Sequence, residues 1–190
     1  QRTELEKEMA ILKKKLFIYG VFRFGVFATT SFLIFATLGK YPDVFAISFL
    51  GLLLFSFLLI KYINLKREKD IVNEKIEINQ LEINVLNRNF HQLDTGQEFV
   101  NPAHFYSNDI DLFGVGSFFQ YANRTSTIDG KIALANVLTE NKTADIIEKQ
   151  KAINELSEKV KWRQHFSALA SLVTVKSKAE LILKWILNYK

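Results

Sequence analysis

The chain has no cysteine, two prolines and eight glycines among its 190 residues, and no stretch that is strongly basic or acidic. Without cysteine there is no disulfide scaffold, no thiolate zinc site and no cysteine nucleophile, and a reducing compartment fits. So few helix breakers exclude a collagen-like or Pro/Gly-rich disordered chain and point to long helices. The net charge is +5 and the pI near 9.3, but the excess is thinly spread: residues 1–15, 16–60, 61–93 and 94–190 each hold one or two net positive charges. Charge alone therefore makes no case for a nucleic-acid track. The chain opens on Gln1 and closes on an apolar run from Leu181 to Lys190, which reads as a piece of a longer polypeptide.

Apolar residues are abundant: 48% of the chain is hydrophobic and 17 residues are Phe. Leu16 to Leu38 carries one charge, Arg23, and Val44 to Ile60 carries none. As helices these runs span roughly 34 and 26 Å, enough to cross a hydrocarbon core of about 30 Å when Tyr62 and Ile63 extend the second and Lys61 snorkels. Gly39-Lys40-Tyr41-Pro42-Asp43 between them stops helices, so the two spans are expected to form an antiparallel hairpin. Neither run shows a solvent stripe, which a soluble core hairpin would need. Arg2, Lys7, Lys13, Lys14 and Lys15 precede the first span, and Lys61, Lys66, Arg67 and Lys69 follow the second, while the link has only Lys40. The positive-inside rule then predicts an integral protein of the plasma or inner membrane, with both ends and the following module cytoplasmic. Arg23 is expected to snorkel towards Lys13–Lys15.

From Ile63 to Leu93 the pattern becomes amphipathic. Ile71, Ile78 and Val85 recur at sevens, as do Ile76, Ile83 and Phe90, which predicts a helix continuous with the second span. It is either a helix packed on its own domain or a coiled-coil or lever element; the stripe is wide for a two-stranded seam. Asp94-Thr95-Gly96 ends it. Four segments follow from this: a flank over 1–15, a two-span membrane hairpin over 16–63, an exit helix over 64–93, and a small helical module over 94–190. The fold class is all-α.

Within the module the sequence predicts a loop over Gln97–Asp111 and an apolar stretch from Ser117 to Ala122. A helix follows through Leu138, capped by Thr127 with Asp129 in its first turn. The next helix is capped by Thr143 with Asp145 favouring its dipole, a third runs from about Lys161 to Val173, and Ser177-Lys178-Ala179-Glu180 is a capping box opening a last one. Phe113, Phe118, Phe119, Leu134, Leu138, Ile153 and Leu156 are the expected core. His91, His104 and His165 lack ligand spacing, and Asp109 and Asp111 read as cap or salt-bridge partners. Gly114-Val115-Gly116 is no dinucleotide fingerprint. Gly130-Lys131 is followed by Ile132, and Thr125 stands where a P-loop needs its first Gly. Asn123-Arg124-Thr125 and Asn141-Lys142-Thr143 match the glycosylation acceptor pattern, which a cytoplasmic module would not use.

The run Asp109-Ile110-Asp111-Leu112-Phe113-Gly114-Val115-Gly116-Ser117-Phe118-Phe119-Gln120, continuing through Asn123-Arg124-Thr125, Thr127 and Gly130 to Leu134-Ala135 and Leu138, resembles the start of the core helical domain of the MutS mismatch-repair family. Ile147, Gln150, Ala152-Ile153, Glu155-Leu156 and Trp162-Arg163-Gln164 extend the resemblance over roughly residues 94–170. With the hairpin, Glu98-Phe99 and His104-Phe105-Tyr106, it resembles the membrane-associated MutS-related subgroup. The resemblance implies that this is the non-catalytic N-terminal part of a membrane-anchored MutS-like ATPase of mismatch-repair type. ATP and Mg would be bound by an ABC-type C-terminal domain outside this chain, through which the protein would form a homodimer. The full-length protein would bind DNA.

The family-signature positions Asp111, Phe113, Gly114, Gly116, Ser117, Asn123, Arg124, Thr125, Thr127, Gly130, Gln150, Glu155, Trp162 and Arg163 are expected to be structural, and no catalytic, cofactor or metal residue is assigned here. Arg124 is expected to pair with Asp109, Asp111 or Asp129. No Phe-x-Glu mismatch reader occurs, and the module's cations alternate with acids, as in Glu148-Lys149 and Glu158-Lys159. The chain alone is therefore expected to bind duplex DNA weakly and without mismatch preference. The alternative is a membrane-tethered helical interaction or scaffold protein with no DNA role.

Overall fold

The computed structural model describes residues 2–37, 43–140, 142–173 and 187–188. Among them the regular structure is all helical: α1 (Arg2–Ala36), α2 (Asp43–Leu86), α3 (Phe118–Ala122), α4 (Ile128–Thr139), α5 (Ile146–Glu158) and α6 (Val160–Leu172), with a 3₁₀ turn at Gln97–Phe99. The link around Lys40 and Pro42 and the capping box at Ser177–Glu180 lie outside the described residues. The chain divides into two compact units, Gln1–Ile76 and Glu77–Lys190.

In the first unit α1 runs antiparallel to the early part of α2. Leu5, Met9 and Leu12 are buried with Val72, and Leu65 and Ile76 pack on that cluster. These residues lie at one- and two-turn spacings on each helix, so each presents one apolar stripe to the other. Further along, Gly51 sits so close to Thr30 that a Cβ there would overlap the threonine side chain. A residue without a side chain lets the two backbones approach at that point. The unit's apolar residues otherwise face outward: Phe17, Phe24, Phe27, Phe32, Phe35, Phe45, Phe49 and Phe57 are all exposed. Both long helices are long and apolar enough to cross a membrane, and their apolar windows are almost entirely unburied within the protein. Thr29, Thr37 and Ser48 turn their hydroxyls back onto the carbonyls of Gly25, Leu33 and Val44 at 2.7–2.8 Å. Hydroxyls satisfied inside their own helix need no water.

The second unit begins with the last turns of α2. This helix ends at Leu86, seven residues before the predicted Leu93. Arg88 takes a left-handed conformation at φ 60°. The Asn89 N–H then reaches the Asn84 carbonyl at 2.9 Å and the Arg88 N–H the Val85 carbonyl at 2.9 Å. Those two bonds make a Schellman ending, which usually carries glycine at this position. A left-handed non-glycine residue is strained by about 1–2 kcal/mol. Arg88→Gly is therefore expected to raise the stability of this unit by about 0.5–1 kcal/mol after the added freedom of the unfolded chain is subtracted. Denaturant melting of the two proteins in one detergent is the check.

Phe99, Phe113 and Phe119 form the aromatic centre of this unit, with ring centroids 5.3–5.7 Å apart. Phe119 is fully buried and Leu112 and Ala135 lie beside it in the buried set. The expected core is corrected in part. Phe118 is 55% exposed and Ile153 68%, and Leu156 is exposed too, while Phe113, Leu134 and Leu138 are half-buried. The five-residue α3 can bury only one face, and Phe119 with Gln120 occupies it. No residue of α5 is buried. The start of α5 also differs: Asp145, at φ 61°, precedes its first residue and makes no side-chain cap, and Thr143 stands outside the helix.

Candidate functional site

The long irregular stretch between α2 and α4 is held together by one buried amide. Ser117 caps α3 by accepting from the Gln120 N–H at 3.1 Å, which turns the Gln120 side chain inward. Its Nε2 donates to the carbonyls of His91 at 2.9 Å and Leu93 at 2.7 Å, and its Oε1 accepts from the Gly116 N–H at 2.8 Å. Gln120 has no exposed surface, and its amide joins three stretches of backbone. Gly96 sits against the same centre at φ 65°, where a Cβ would stand 2.6 Å from the Phe119 ring. Gly114 and Gly116 also need positive φ, at 106° and 79°.

A second group ties α4 to this stretch. The Thr127 hydroxyl accepts from the Gly130 N–H at 3.0 Å, as predicted for a helix cap, and a Cβ on Gly130 would stand 2.9 Å from that hydroxyl. At the other end of α4 the Tyr106 hydroxyl donates to the Leu138 and Thr139 carbonyls at 2.7 and 2.9 Å. His104 Nε2 lies 3.2 Å from the same Thr139 carbonyl, while its Nδ1 accepts from the Ser107 N–H at 3.2 Å. With Nδ1 an acceptor, Nε2 carries the proton and donates. Two aromatic side chains thus satisfy carbonyls that the helix end would leave bare.

Lys131 on α4 pairs with both Asp94 and Glu98 and lies over the Phe99 ring at 5.7 Å. Burial pushes the Asp94 carboxyl up, but the Lys131 hydrogen bond, the Gly96 N–H and the ammonium charge outweigh it, so its pKa falls below the ordinary value. Burial likewise pulls Lys131 down, and the two carboxylates outweigh it, so its pKa is raised. The depressed Asp94 contributes stability above the unfolded carboxylate value of about 4 and loses it as pH falls through the folded pKa. The raised Lys131 contributes below the unfolded value of about 10.4 and loses it as pH rises through the folded pKa. The stability difference between wild type and Lys131→Met is therefore expected to be flat from about pH 5 to 9 and to shrink on both sides. Melting across that range is the measurement, and a difference that changes steadily through neutral pH is the contrary result.

A cleft of about 560 Å³ lies beside this framework, lined by Ile78, Leu81 and Glu82 of α2, Leu93 and Asp94, the linker Asn123–Ser126, and Val160, Arg163, Gln164 and Ser167 of α6. Arg124 crosses it. Its Nε donates to Glu82 at 2.8 Å and its Nη1 to the carbonyls of Tyr121 and Asn123, both at 2.8 Å. Its carboxylate partner is therefore Glu82 and not Asp109, Asp111 or Asp129: the linker after α3 turns Arg124 towards the end of α2. Asn123 accepts from the N–H of Thr125 at 3.0 Å and its hydroxyl at 2.7 Å, which fixes that linker. Arg163 donates to the Ser157 carbonyl at 3.2 Å and Gln164 Nε2 to Asn79 Oδ1 at 3.3 Å.

The signature positions thus fall into two sets. Phe113, Gly114, Gly116, Ser117, Asn123, Arg124, Thr125, Thr127 and Gly130 are joined in one network, and Asp111 turns the chain into it at φ 46°. Gln150 and Glu155 lie on exposed α5, where Glu155 pairs with Lys159, and that hydrogen bond and charge lower its pKa. Trp162 stacks on Phe166 at 5.5 Å, with both rings more than half exposed. Gln120, Lys131, Glu82 and the His104–Tyr106 pair were not singled out in the sequence. Their partners are 27 to 42 residues away, and no local spacing announces them. Among the described residues no three His, Asp or Glu side chains gather as a metal site.

The class defined by this architecture is an all-helical protein with two helices able to cross a membrane and a second unit built on a glutamine-clamped loop. Comparison with family models, curated proteins and solved structures returned no match.

Proposed function

We propose that the chain is the anchoring and framework part of a membrane-bound MutS-like ATPase, with the module non-catalytic and cytoplasmic. The observation that carries this reading is the single network made by nine of the signature positions. Each has a stereochemical task there: positive φ at Gly114 and Gly116, helix caps at Ser117 and Thr127, close approach at Gly130, and a linker lock at Asn123 and Thr125. A signature made of such positions specifies a fold, and the chemistry would lie in an ATPase domain elsewhere in the protein. The outward-facing Phe side chains of the hairpin and the inward-bonded hydroxyls support lipid as its surroundings.

The alternative, a membrane-tethered scaffold, draws on α5. Its Ile146, Ile147, Ile153 and Leu156 are exposed as an apolar set, which a partner would cover. In the first reading the rest of a MutS-like core covers them. Sequencing the gene downstream of Lys190 separates the two. A P-loop and an ABC-type signature within the same reading frame support the ATPase, and their absence sinks it. Topology is tested apart from that: a reporter fused after Lys69 should be cytoplasmic and one inserted at Lys40 external.

A further inference from the structure

The antiparallel contacts of the first unit fix which residues share a level. Thr30 meets Gly51, Arg23 meets Phe55 and Tyr62, and Leu5, Met9 and Leu12 meet Val72. Arg23 therefore stands level with Tyr62, next to Lys61, where the apolar run of α2 has just ended at Ile60. Its position is the edge of the hydrocarbon rather than its interior, and the expected long reach back towards Lys13–Lys15 is not needed. Lys13, Lys14 and Lys15 lie roughly 12–15 Å further out along α1, at a rise of about 1.5 Å per residue. Lys66 and Arg67 lie beyond the same edge on α2 and, like those three, are exposed.

Arg23 is held in an unusual way for a cation. Its guanidinium carbon is 4.8 Å from the Tyr62 ring centroid and 5.5 Å from that of Phe55. Its Nε is buried and has no hydrogen-bond partner. Beside it lies a notch of about 310 Å³ lined by Gly20, Arg23, Phe24, Phe27, Phe55 and Tyr62. A Cβ on Gly20 would meet nothing within 4 Å, so the notch is open where a side chain would otherwise stand. The two aromatic faces steady the cation but supply no acceptor for its N–H groups. A guanidinium presents a planar fork that suits two oxygens of one phosphate, which a lysine does not.

We propose that this notch binds the headgroup phosphate of an anionic phospholipid, with the Arg23 guanidinium bridging two phosphate oxygens and the acyl chains lying along Phe24 and Phe27. Lysines and arginines just outside the edge favour an anionic over a zwitterionic lipid by about 1 kcal/mol each near a charged surface. The proposal rests on the membrane reading of the hairpin.

The test is native mass spectrometry of the full chain in detergent, titrated with phosphatidylglycerol or phosphatidylcholine, with inorganic phosphate as a separate arm. Wild type should retain one phosphatidylglycerol at a concentration at least about tenfold below that for phosphatidylcholine. Arg23→Gln should lose that retention about tenfold, and Gly20→Leu should lose it with the charge intact. Arg23→Lys should recover only part. Circular dichroism of each variant shows whether the helices are kept. Wild-type retention by Arg23→Gln overturns the proposal, as does displacement of the lipid by inorganic phosphate. Alkaline extraction from phosphatidylglycerol–phosphatidylcholine vesicles is read alongside. A chain released by alkali sinks the membrane reading and the proposal with it. A chain that stays embedded but shows no lipid preference sinks the proposal alone.

Discussion

Gln120→Leu should cost the second unit about 3–5 kcal/mol, because it strips the partners from three backbone groups at once. Leucine fills much the same volume, so little of the cost is a cavity. The His91 and Leu93 carbonyls and the Gly116 N–H would each lose a bond of 2.7–2.9 Å. A buried group left bare costs about 1–3 kcal/mol. His91 is itself exposed, so water restores part of the loss there. Since a domain is stable by about 5–15 kcal/mol, this is a large share. Hydrogen exchange of the full chain in detergent should show amide protection over residues 90–120 falling roughly a hundredfold or more. Gln120→Glu is the sharper control. It keeps the shape and the acceptor for Gly116 but sets an oxygen against the two carbonyls, and should fare no better. Protection unchanged in both variants would mean the amide is not the clamp.

Gly96→Ala should cost about 2–5 kcal/mol through two separate effects. The first is backbone strain at φ 65°, worth about 1–2 kcal/mol for a residue with a Cβ. The second is overlap. The added carbon would stand 2.6 and 2.8 Å from two atoms of the Phe119 ring and 3.0 Å from Phe113. Both rings belong to the aromatic centre, and overpacking such a site costs about 1–3 kcal/mol. Gly116→Ala separates the two effects. Its φ of 79° carries the same strain, but a Cβ there meets nothing within 4 Å. Denaturant midpoints should therefore place Gly116→Ala between wild type and Gly96→Ala. Equal losses would leave strain as the whole effect.

The two apolar helices, the continuity of the second with the amphipathic segment, and the caps at Ser117 and Thr127 could all be read along the chain, because each depends on residues within a few positions of one another. The end of α2 could not. A Schellman ending is legible when glycine marks it, and here Arg88 takes that conformation. The role of residues 1–15 was equally hidden. Leu5, Met9 and Leu12 form a stripe only when set against Val72, some sixty residues away. Periodicity also misled on α5: it identifies which side of a helix is apolar, not whether anything covers it. The candidate site was half legible. Its glycines and caps stood out as turn chemistry, whereas the glutamine, lysine and tyrosine that bind the loop together act through partners distant in sequence.

The contrast between the clamped loop and α5 bears on how this protein would meet a protease. A protease needs several residues of backbone drawn out into its own cleft, so it reads local freedom and not the presence of a helix. Residues 90–117 are largely irregular, yet the Gln120 amide and the Tyr106 hydroxyl tether them and Gly96 lies against the buried Phe119 ring. Residues 146–158 are helical, yet none is buried, and Lys159 breaks the helix from α6 at ψ 49°. An enzyme of broad specificity would thus open the regular helix first and leave the apparent loop intact, so the stable fragment would end near α4 rather than begin there.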